Sequence, residues 1–196
     1  MTSSFNLETF WAEQQREHME TAQKTFETLE KSFEQMLDLC IQSIEKDGKI
    51  LFFGNGGSAA DAQHLATELT VRYIKNRIPI PALALTTDTS ALTAIGNDLG
   101  FEDLFARQIE AIGKPGDVAI AISTSGTSPN IIKGLQTAQD IGLTTIGLSG
   151  RDGGNMPPLC DCLLIVPSQT TARIQEMHIT LGQMLCGALE QRLYLV

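Results

Sequence analysis

The chain has 196 residues, of which 42% are hydrophobic and 19% are charged, so it is long enough to bury the core of one domain. Its formal net charge of −9 argues against general nucleic-acid binding, because phosphate backbones are held by clustered Lys and Arg. No apolar run approaches the roughly 20 residues that span a bilayer, and no basic leader precedes one. We therefore expect a single cytoplasmic domain over residues 1–196 that binds neither nucleic acid nor membrane.

The first 47 residues are rich in Glu, Gln, Lys, Met and Phe and nearly free of Gly. From Phe26 to Ile44 apolar residues recur at steps of three and four, which predicts a helix with one apolar side. A shorter pattern between Phe5 and Ala22 predicts a separate helix before it. Paired helices outside a compact unit often pack against another chain, so residues 1–47 are predicted to form a helical oligomerisation segment.

Beyond residue 48, apolar runs alternate with Gly/Ser/Thr loops and helical patterns. Near-continuous apolar runs are typical of strands buried on both faces, and they occur at 49–54, 81–87, 118–124, 144–150 and 162–167. Helices are predicted at 58–73, 89–96, 101–112, 129–141, 153–160 and 170–194. This order predicts a three-layer α/β/α sandwich with a mostly parallel five-stranded sheet, in which ligands bind beyond the C-terminal ends of the strands.

The segment GNGGSAADAQHLATEL, residues 54–69, follows the first predicted strand. Glycines at this point let the backbone approach a ligand, and the following helix begins with free N–H groups. The segment has neither the G-x-G-x-x-G spacing of a dinucleotide fold nor the lysine of a P-loop. A tight turn from strand to helix also explains Gly56 and Gly57.

The segment STSGTSPN, residues 123–130, follows a buried strand and carries five hydroxyl side chains. Ser128 before Pro129 predicts a helix N-cap with proline at the first helical position. Hydroxyl groups and free N–H groups then face the same space, which favours an anion site made of neutral donors. The alternative is that the hydroxyls cap the turn, which explains Ser128 but not the others.

Two helices carry polar pairs that can face a pocket. His64 and Glu68 are four residues apart and lie on one helix face, where they can act on one atom as a base or begin a metal site. A simple surface pairing is the alternative. Gln175 and Gln183 differ in direction by about 80° around the last helix, so both can face the same pocket. His178 points in a different direction and is expected to be a partly buried packing residue.

These segments, together with LTTDTSALTAIGND at 85–98 and ARIQEMH at 172–178, closely resemble the sugar isomerase (SIS) domain family and, within it, the phosphoheptose isomerases. The resemblance covers nearly the whole chain and implies the flavodoxin-like SIS fold. It implies a homotetramer that converts sedoheptulose 7-phosphate to D-glycero-D-manno-heptose 7-phosphate, through an enediol, for the heptose of bacterial surface glycans.

The resemblance also implies roles for individual residues. The sugar phosphate would be held by Ser123, Thr124, Ser125 and Ser128. The sugar site would be lined by Asn55, Gly56, Gly57, Asn97 and Asp98, and Glu68 and Gln175 would also contact the substrate. Glu68 would be the proton-shuttling base, and zinc, present in some members, would be bound by His64, Glu68, Gln175 and the residue at position 183.

Position 183 departs from the family. The resemblance places a histidine there, as fourth metal ligand and second acid–base group, and this chain has Gln183. An amide does not exchange a proton near neutral pH and is a poorer zinc ligand than imidazole. Three explanations of Gln183 are open: it was introduced to silence the enzyme, this member works without the histidine, or catalysis has been lost.

Two other functions compete with the isomerase. Some relatives are non-enzymatic tetrameric scaffolds that bind the bacterial replication initiator, but those lack the glutamate, so Glu68 favours an enzyme. A phosphosugar-sensing regulator would need an attached DNA-binding module, for which this chain has no room. The sequence therefore favours an isomerase.

Overall fold

The computed structural model describes residues 5–193, and its first element corrects a prediction. One helix of 38 residues, α1 (Leu7–Ile44), replaces the two helices expected. It begins at Asn6, whose side-chain oxygen accepts a hydrogen bond from the Thr9 N–H at 3.1 Å. No Gly or Pro interrupts residues 7–44, and the turns between the two apolar patterns bury Thr21 and Thr25. The apparent gap is therefore a stretch of the same helix that buries small polar side chains.

A five-stranded parallel sheet forms the centre of the fold, as predicted. Its strands are β1 (Ile50–Gly54), β2 (Ala82–Ala84), β3 (Val118–Ser123), β4 (Thr144–Gly150) and β5 (Cys162–Val166), in the spatial order β2-β1-β3-β4-β5. The edge strand β2 is shorter than the predicted run at 81–87. Pro81 has no N–H to donate to a sheet ladder, which limits the strand at its start.

Five further helices follow, and most lie close to their predicted bounds. They are α2 (Gly57–Thr70), α3 (Thr89–Asp98), α4 (Ala106–Ile112), α5 (Pro129–Ile141) and α6 (Thr171–Arg192). The predicted helix at 101–112 is divided, with a 3-10 turn at Phe101–Asp103 before α4. The predicted end of the last helix, residue 194, lies outside the described residues.

The predicted helix at 153–160 is wrong. Only a 3-10 turn, Pro157–Leu159, forms there. Gly153 and Gly154 both have positive φ angles, of 83° and 56°, and two consecutive prolines follow at 157 and 158. Positive φ angles and missing N–H donors both prevent a regular α-helix.

The helices cover both faces of the sheet. Ile50 and Phe52 of β1 point into a core formed with α1, α2 and α6. Leu51 and Phe53 point into the opposite core, formed with α3, α4 and α5. The three-layer sandwich is confirmed, and it places α2 and α6 side by side in one layer. Across residues 5–193, no helix combines the length and the apolarity needed to cross a membrane.

Candidate active site

The segment after β3, residues 123–128, is named here the hydroxyl loop. The Ser123 hydroxyl oxygen accepts a hydrogen bond from the Gly126 N–H at 3.1 Å. The Ser125 hydroxyl oxygen accepts from the Thr127 N–H at 3.3 Å and from the Thr127 hydroxyl at 3.0 Å. Both serines thus have roles in the turn, contrary to the expectation that only Ser128 would cap it. Each keeps its own O–H proton for a ligand, because a hydroxyl both donates and accepts.

Ser128 is the third serine of the hydroxyl loop, and it lines a cavity. It occupies the N-cap position of α5 with Pro129 at the start of the helix, as predicted, but its side chain forms no capping hydrogen bond with residues 5–193. It lines a cavity of about 460 Å³ together with Asn55, Gly100, Phe101, Glu102, Pro129 and Asn130. A hydroxyl at the start of a helix, facing a cavity, is suited to an anionic ligand.

Gly126 lets the hydroxyl loop pack against its neighbour. Its φ is +64°, and a Cβ there would lie 2.0 Å from the Gly153 carbonyl oxygen, so a larger residue would displace backbone. The Asn155 N–H donates to the Gly126 carbonyl at 2.9 Å. Residues 153–155 therefore pack against the hydroxyl loop and support it. This is the structural role of the segment that was wrongly predicted to be a helix.

Asn55, at the end of β1, pairs with Asn130, a residue that the sequence did not single out. The two amides exchange hydrogen bonds, with N–O distances of 2.8 and 2.9 Å, and Asn130 is 1% exposed. This pair joins the β1 loop to the first turn of α5. The only sequence signal for Asn130 is its place directly after Ser128 and Pro129, which is shared by many structural residues.

The start of α2 is shaped by two glycines. Gly56 has φ 57° and ψ −119°, a conformation that residues with a Cβ avoid. At Gly57 a Cβ would lie 2.5 Å from the Gln175 side-chain nitrogen. Gln175 of α6 therefore lies directly over the first residue of α2, where Gly57 leaves room for it, whereas Gly56 is required by its backbone angles.

His64, Glu68 and Gln183 meet between α2 and α6. The His64 Nε2 atom lies 3.0 Å from Glu68 Oε1 and 2.8 Å from the Gln183 side-chain nitrogen. A neutral imidazole nitrogen either carries a proton or accepts one. His64 can therefore donate to Glu68 or accept from Gln183, but not both at once through the same atom. The three side chains form a small polar cluster, in which the Glu68 side chain is 22% exposed.

The model of the SIS domain family matches residues 14–150. A phosphoheptose isomerase of Paramagnetospirillum magneticum is 57% identical over 93% of this chain and 95% of the relative. The solved phosphoheptose isomerase of Neisseria gonorrhoeae has a TM-score of 0.90 and 44% identity, over 95% of this chain and 100% of that one. That of Francisella tularensis has a TM-score of 0.93 and 33% identity, with the same coverage. The chain belongs to the phosphoheptose isomerases of the SIS domain family. It is therefore an isomerase.

Zinc in some members of the phosphoheptose isomerases is implied by the resemblance, and the candidate ligands can be judged by their chemistry. His64 and Glu68 supply an imidazole and a carboxylate, which zinc prefers. Gln175 and Gln183 supply neutral amides, which are poorer ligands. Within residues 5–193, no group of three or more His, Cys, Asp or Glu side chains could hold a metal ion. A set that includes two neutral amides would hold zinc more weakly than one made of imidazoles and carboxylates alone.

Two other candidates of this isomerase, Asn97 and Asp98, lie at the end of α3. The Asn97 amide donates to the Asp98 carboxylate at 2.6 Å, and both residues are exposed. Neither lines the cavity beside Ser128, although Gly100, two residues further on, does. Asn97 and Asp98 are thus close to the cavity along the chain, but their side chains bond to each other and do not line it.

His178 is fully buried, and the expectation of a partly buried residue is wrong in degree. Its Nε2 atom lies 3.0 Å from the Ser149 carbonyl oxygen. Burial lowers the pKa of His178 to about 4, so the ring is neutral near pH 7 and donates Nε2–H to that carbonyl. The Ser149 hydroxyl in turn donates to the Ser123 carbonyl at 3.0 Å. His178 thus supports the strands behind the hydroxyl loop.

Proposed function

We propose that this isomerase converts sedoheptulose 7-phosphate to D-glycero-D-manno-heptose 7-phosphate through an enediol. Family membership supports a sugar phosphate isomerase of heptose biosynthesis. The observation that supports the finer assignment is the meeting of the Glu68 carboxylate with His64 and Gln183 between α2 and α6. A ketose-to-aldose step needs one positioned carboxylate base, and Glu68 is the carboxylate of this cluster.

The proposed reaction is an internal proton transfer. Glu68 removes a proton from C1 of the ketose, the C1–C2 enediol forms, and Glu68 returns that proton to C2. The hydroxyl proton on O1 leaves as the C1 carbonyl forms, and O2 gains one. No oxidant or reductant is required, because the two carbons exchange oxidation states within one molecule.

The phosphate is proposed to bind at the hydroxyl loop. Ser123, Ser125 and Ser128 retain O–H protons that can be donated, and Ser128 lies at the start of α5 beside the cavity. Thr124 lies in the same turn. Neutral donors suit this acidic chain, because they bind a dianion locally without attracting other polyanions.

The charge that develops on the sugar oxygens needs hydrogen-bond donors. The amides of Gln183 and Gln175 are the proposed donors. The proposed lining of the sugar site consists of Asn55, Gly56, Gly57, Asn97 and Asp98. Because an amide does not exchange protons near neutral pH, Gln183 donates a hydrogen bond and Glu68 carries the proton. A zinc ion, if held by His64, Glu68, Gln175 and Gln183, would polarise the same oxygens.

The homotetramer expected from the family also stays a proposal. Large apolar side chains are exposed along α1, among them Phe10 at 47%, Trp11 at 70% and Phe26 at 50%. Apolar surface of this kind marks interfaces between chains. Light scattering of the intact chain tests the proposal by its mass. The cytoplasmic location stays a prediction as well.

The decisive test of the function is the substitution Glu68→Gln. It keeps size and hydrogen bonding but removes the proton acceptor, so turnover of sedoheptulose 7-phosphate should fall by roughly 10²-fold or more. Calorimetry should find the affinity for the phosphosugar retained. Glu110→Gln on α4 is the matched control, because it removes an exposed carboxylate in the opposite layer. Unchanged turnover in Glu68→Gln would remove α2 from the catalytic role.

A further inference from the structure

An ion pair between Arg77 and Glu190 is buried beside the candidate base. Both side chains are 1% exposed, and the Arg77 Nε atom lies 2.9 Å from Glu190 Oε1. Arg77 belongs to the segment that links α2 to β2, and Glu190 belongs to the last turns of α6. A buried pair of this kind costs desolvation energy that apolar side chains would not, so it is weak evidence for stability alone.

Arg77 holds the end of α2. Its two terminal nitrogens donate to the Glu68 carbonyl at 2.8 Å and to the Leu69 carbonyl at 2.6 Å. The last carbonyls of a helix have no partner within it, and a cation there also interacts favourably with the helix dipole. The turn that carries the candidate base is thus fixed, through its backbone, by one guanidinium group.

Glu190 holds the other side of the pair. Its carboxylate accepts from the Tyr73 N–H at 3.0 Å and from the Ile74 N–H at 3.4 Å, besides Arg77. It stands seven residues after Gln183, so the two differ by only about 20° around α6. One helix face therefore carries both the amide that meets His64 and the carboxylate that anchors the segment after α2.

We propose that Arg77 and Glu190 are positioning residues that set α2 against α6, so that Glu68, His64 and Gln183 meet at the proton-transfer site. The inference rests on the proposed function of Glu68. Small displacements of a reacting group are costly, since about 1 Å can reduce the rate by about 10²-fold. The buried pair ties the two helices by directional bonds, which apolar packing does not supply.

The test compares Glu190→Gln with Asp117→Asn, which changes a buried carboxylate just before β3, outside the contact between α2 and α6. Asp117 also is buried and accepts from two backbone N–H groups, at 3.0 and 2.9 Å, and from Lys49. Both variants should lose thermal stability. Only Glu190→Gln should lose kcat, by about tenfold or more, with KM for the phosphosugar within about twofold of the parent.

Arg77→Lys serves if Glu190→Gln does not fold. It keeps a buried cation opposite Glu190, but a single nitrogen cannot replace the fork that reaches both carbonyls, so kcat should again fall while KM holds. Full kcat in folded Glu190→Gln or Arg77→Lys, with Glu68→Gln inactive, would overturn the positioning role and leave the proposed function standing. Full turnover in Glu68→Gln would instead overturn the proposed function, and the positioning role with it.

Discussion

Mild acid should weaken the fold through His178. The ring is fully buried in the native protein, and burial lowers its pKa from the ordinary 6.5 to about 4. Unfolding returns it to water, where it binds a proton more readily. The contribution of the neutral buried ring to stability is therefore complete above about pH 6.5 and is lost as the pH falls toward 4.

The magnitude follows from these two values. At about pH 5 the unfolded histidine is almost fully protonated and the folded one is about one-tenth protonated, which removes about 2 kcal/mol of unfolding free energy relative to pH 7.5. For a chain of this size that corresponds to a fall in Tm of about 4–8 °C.

Urea unfolding at a series of pH values between about 7.5 and 5 measures the effect. Because many carboxylates also titrate toward acid, His178→Gln is the matched control, since its amide can donate to the Ser149 carbonyl without titrating. The parent should lose about 2 kcal/mol more than the variant over this range. Parallel curves for the two proteins would show that His178 is not a buried neutral group.

Two further predictions concern ligands. Replacing Ser123 and Ser125 together by Ala removes two hydrogen-bond donors to a charged group, each worth about 1.5–3 kcal/mol. Calorimetry should therefore find the affinity for the phosphosugar reduced at least tenfold. Unchanged affinity would show that the phosphate binds elsewhere. Gln183→His places an imidazole beside His64 and Glu68, so turnover and zinc content, measured by elemental analysis, should rise together. If neither rises, position 183 has no acid–base or metal-binding role in this chain.

The sheet was predictable from the sequence because buried parallel strands leave a simple signal. The runs that became β1 and β3 are buried along their whole length, β4 is buried at all positions but its first, and β5 is apolar throughout. The helix α5 matches its predicted bounds, since Pro129 marks its start and Gly142, with φ 91°, marks its end. Strong local signals at both ends explain that agreement.

The N-terminal helix was misread for a physical reason. Sequence periodicity counts large apolar residues, whereas α1 buries Thr21 and Thr25, and the Thr25 hydroxyl is satisfied by the Thr21 carbonyl at 2.7 Å. A threonine that bonds its own helix backbone can be buried without an external partner. Such positions look like a break in the apolar pattern although the helix continues through them.

In the candidate site, contacts within one helix were predictable from the sequence, whereas contacts between separate elements were not. The approach of Glu68 to His64 needs only the rise of one helix, so sequence spacing predicted it. The exchange of bonds between Asn55 and Asn130, like the burial of Arg77, depends on how separate elements pack. Neither residue type nor spacing carries that information, since exposed asparagines and arginines have the same local sequence features.

In the proposed phosphate site, the hydroxyl loop uses neutral groups where cations would be expected. The chain carries a net charge of −9, so no general positive field draws a phosphate in. Instead the Ser149 hydroxyl donates to the Ser123 carbonyl, and the Ser123 hydroxyl accepts from the Gly126 N–H, so hydrogen bonds within the protein hold the turn. Donors held in place this way need no reorganisation when an anion binds, and that saving strengthens each bond relative to a flexible serine in water. A lysine would attract any polyanion, whereas hydroxyls held in a turn, as in the proposed phosphate site, would favour an anion that matches their spacing.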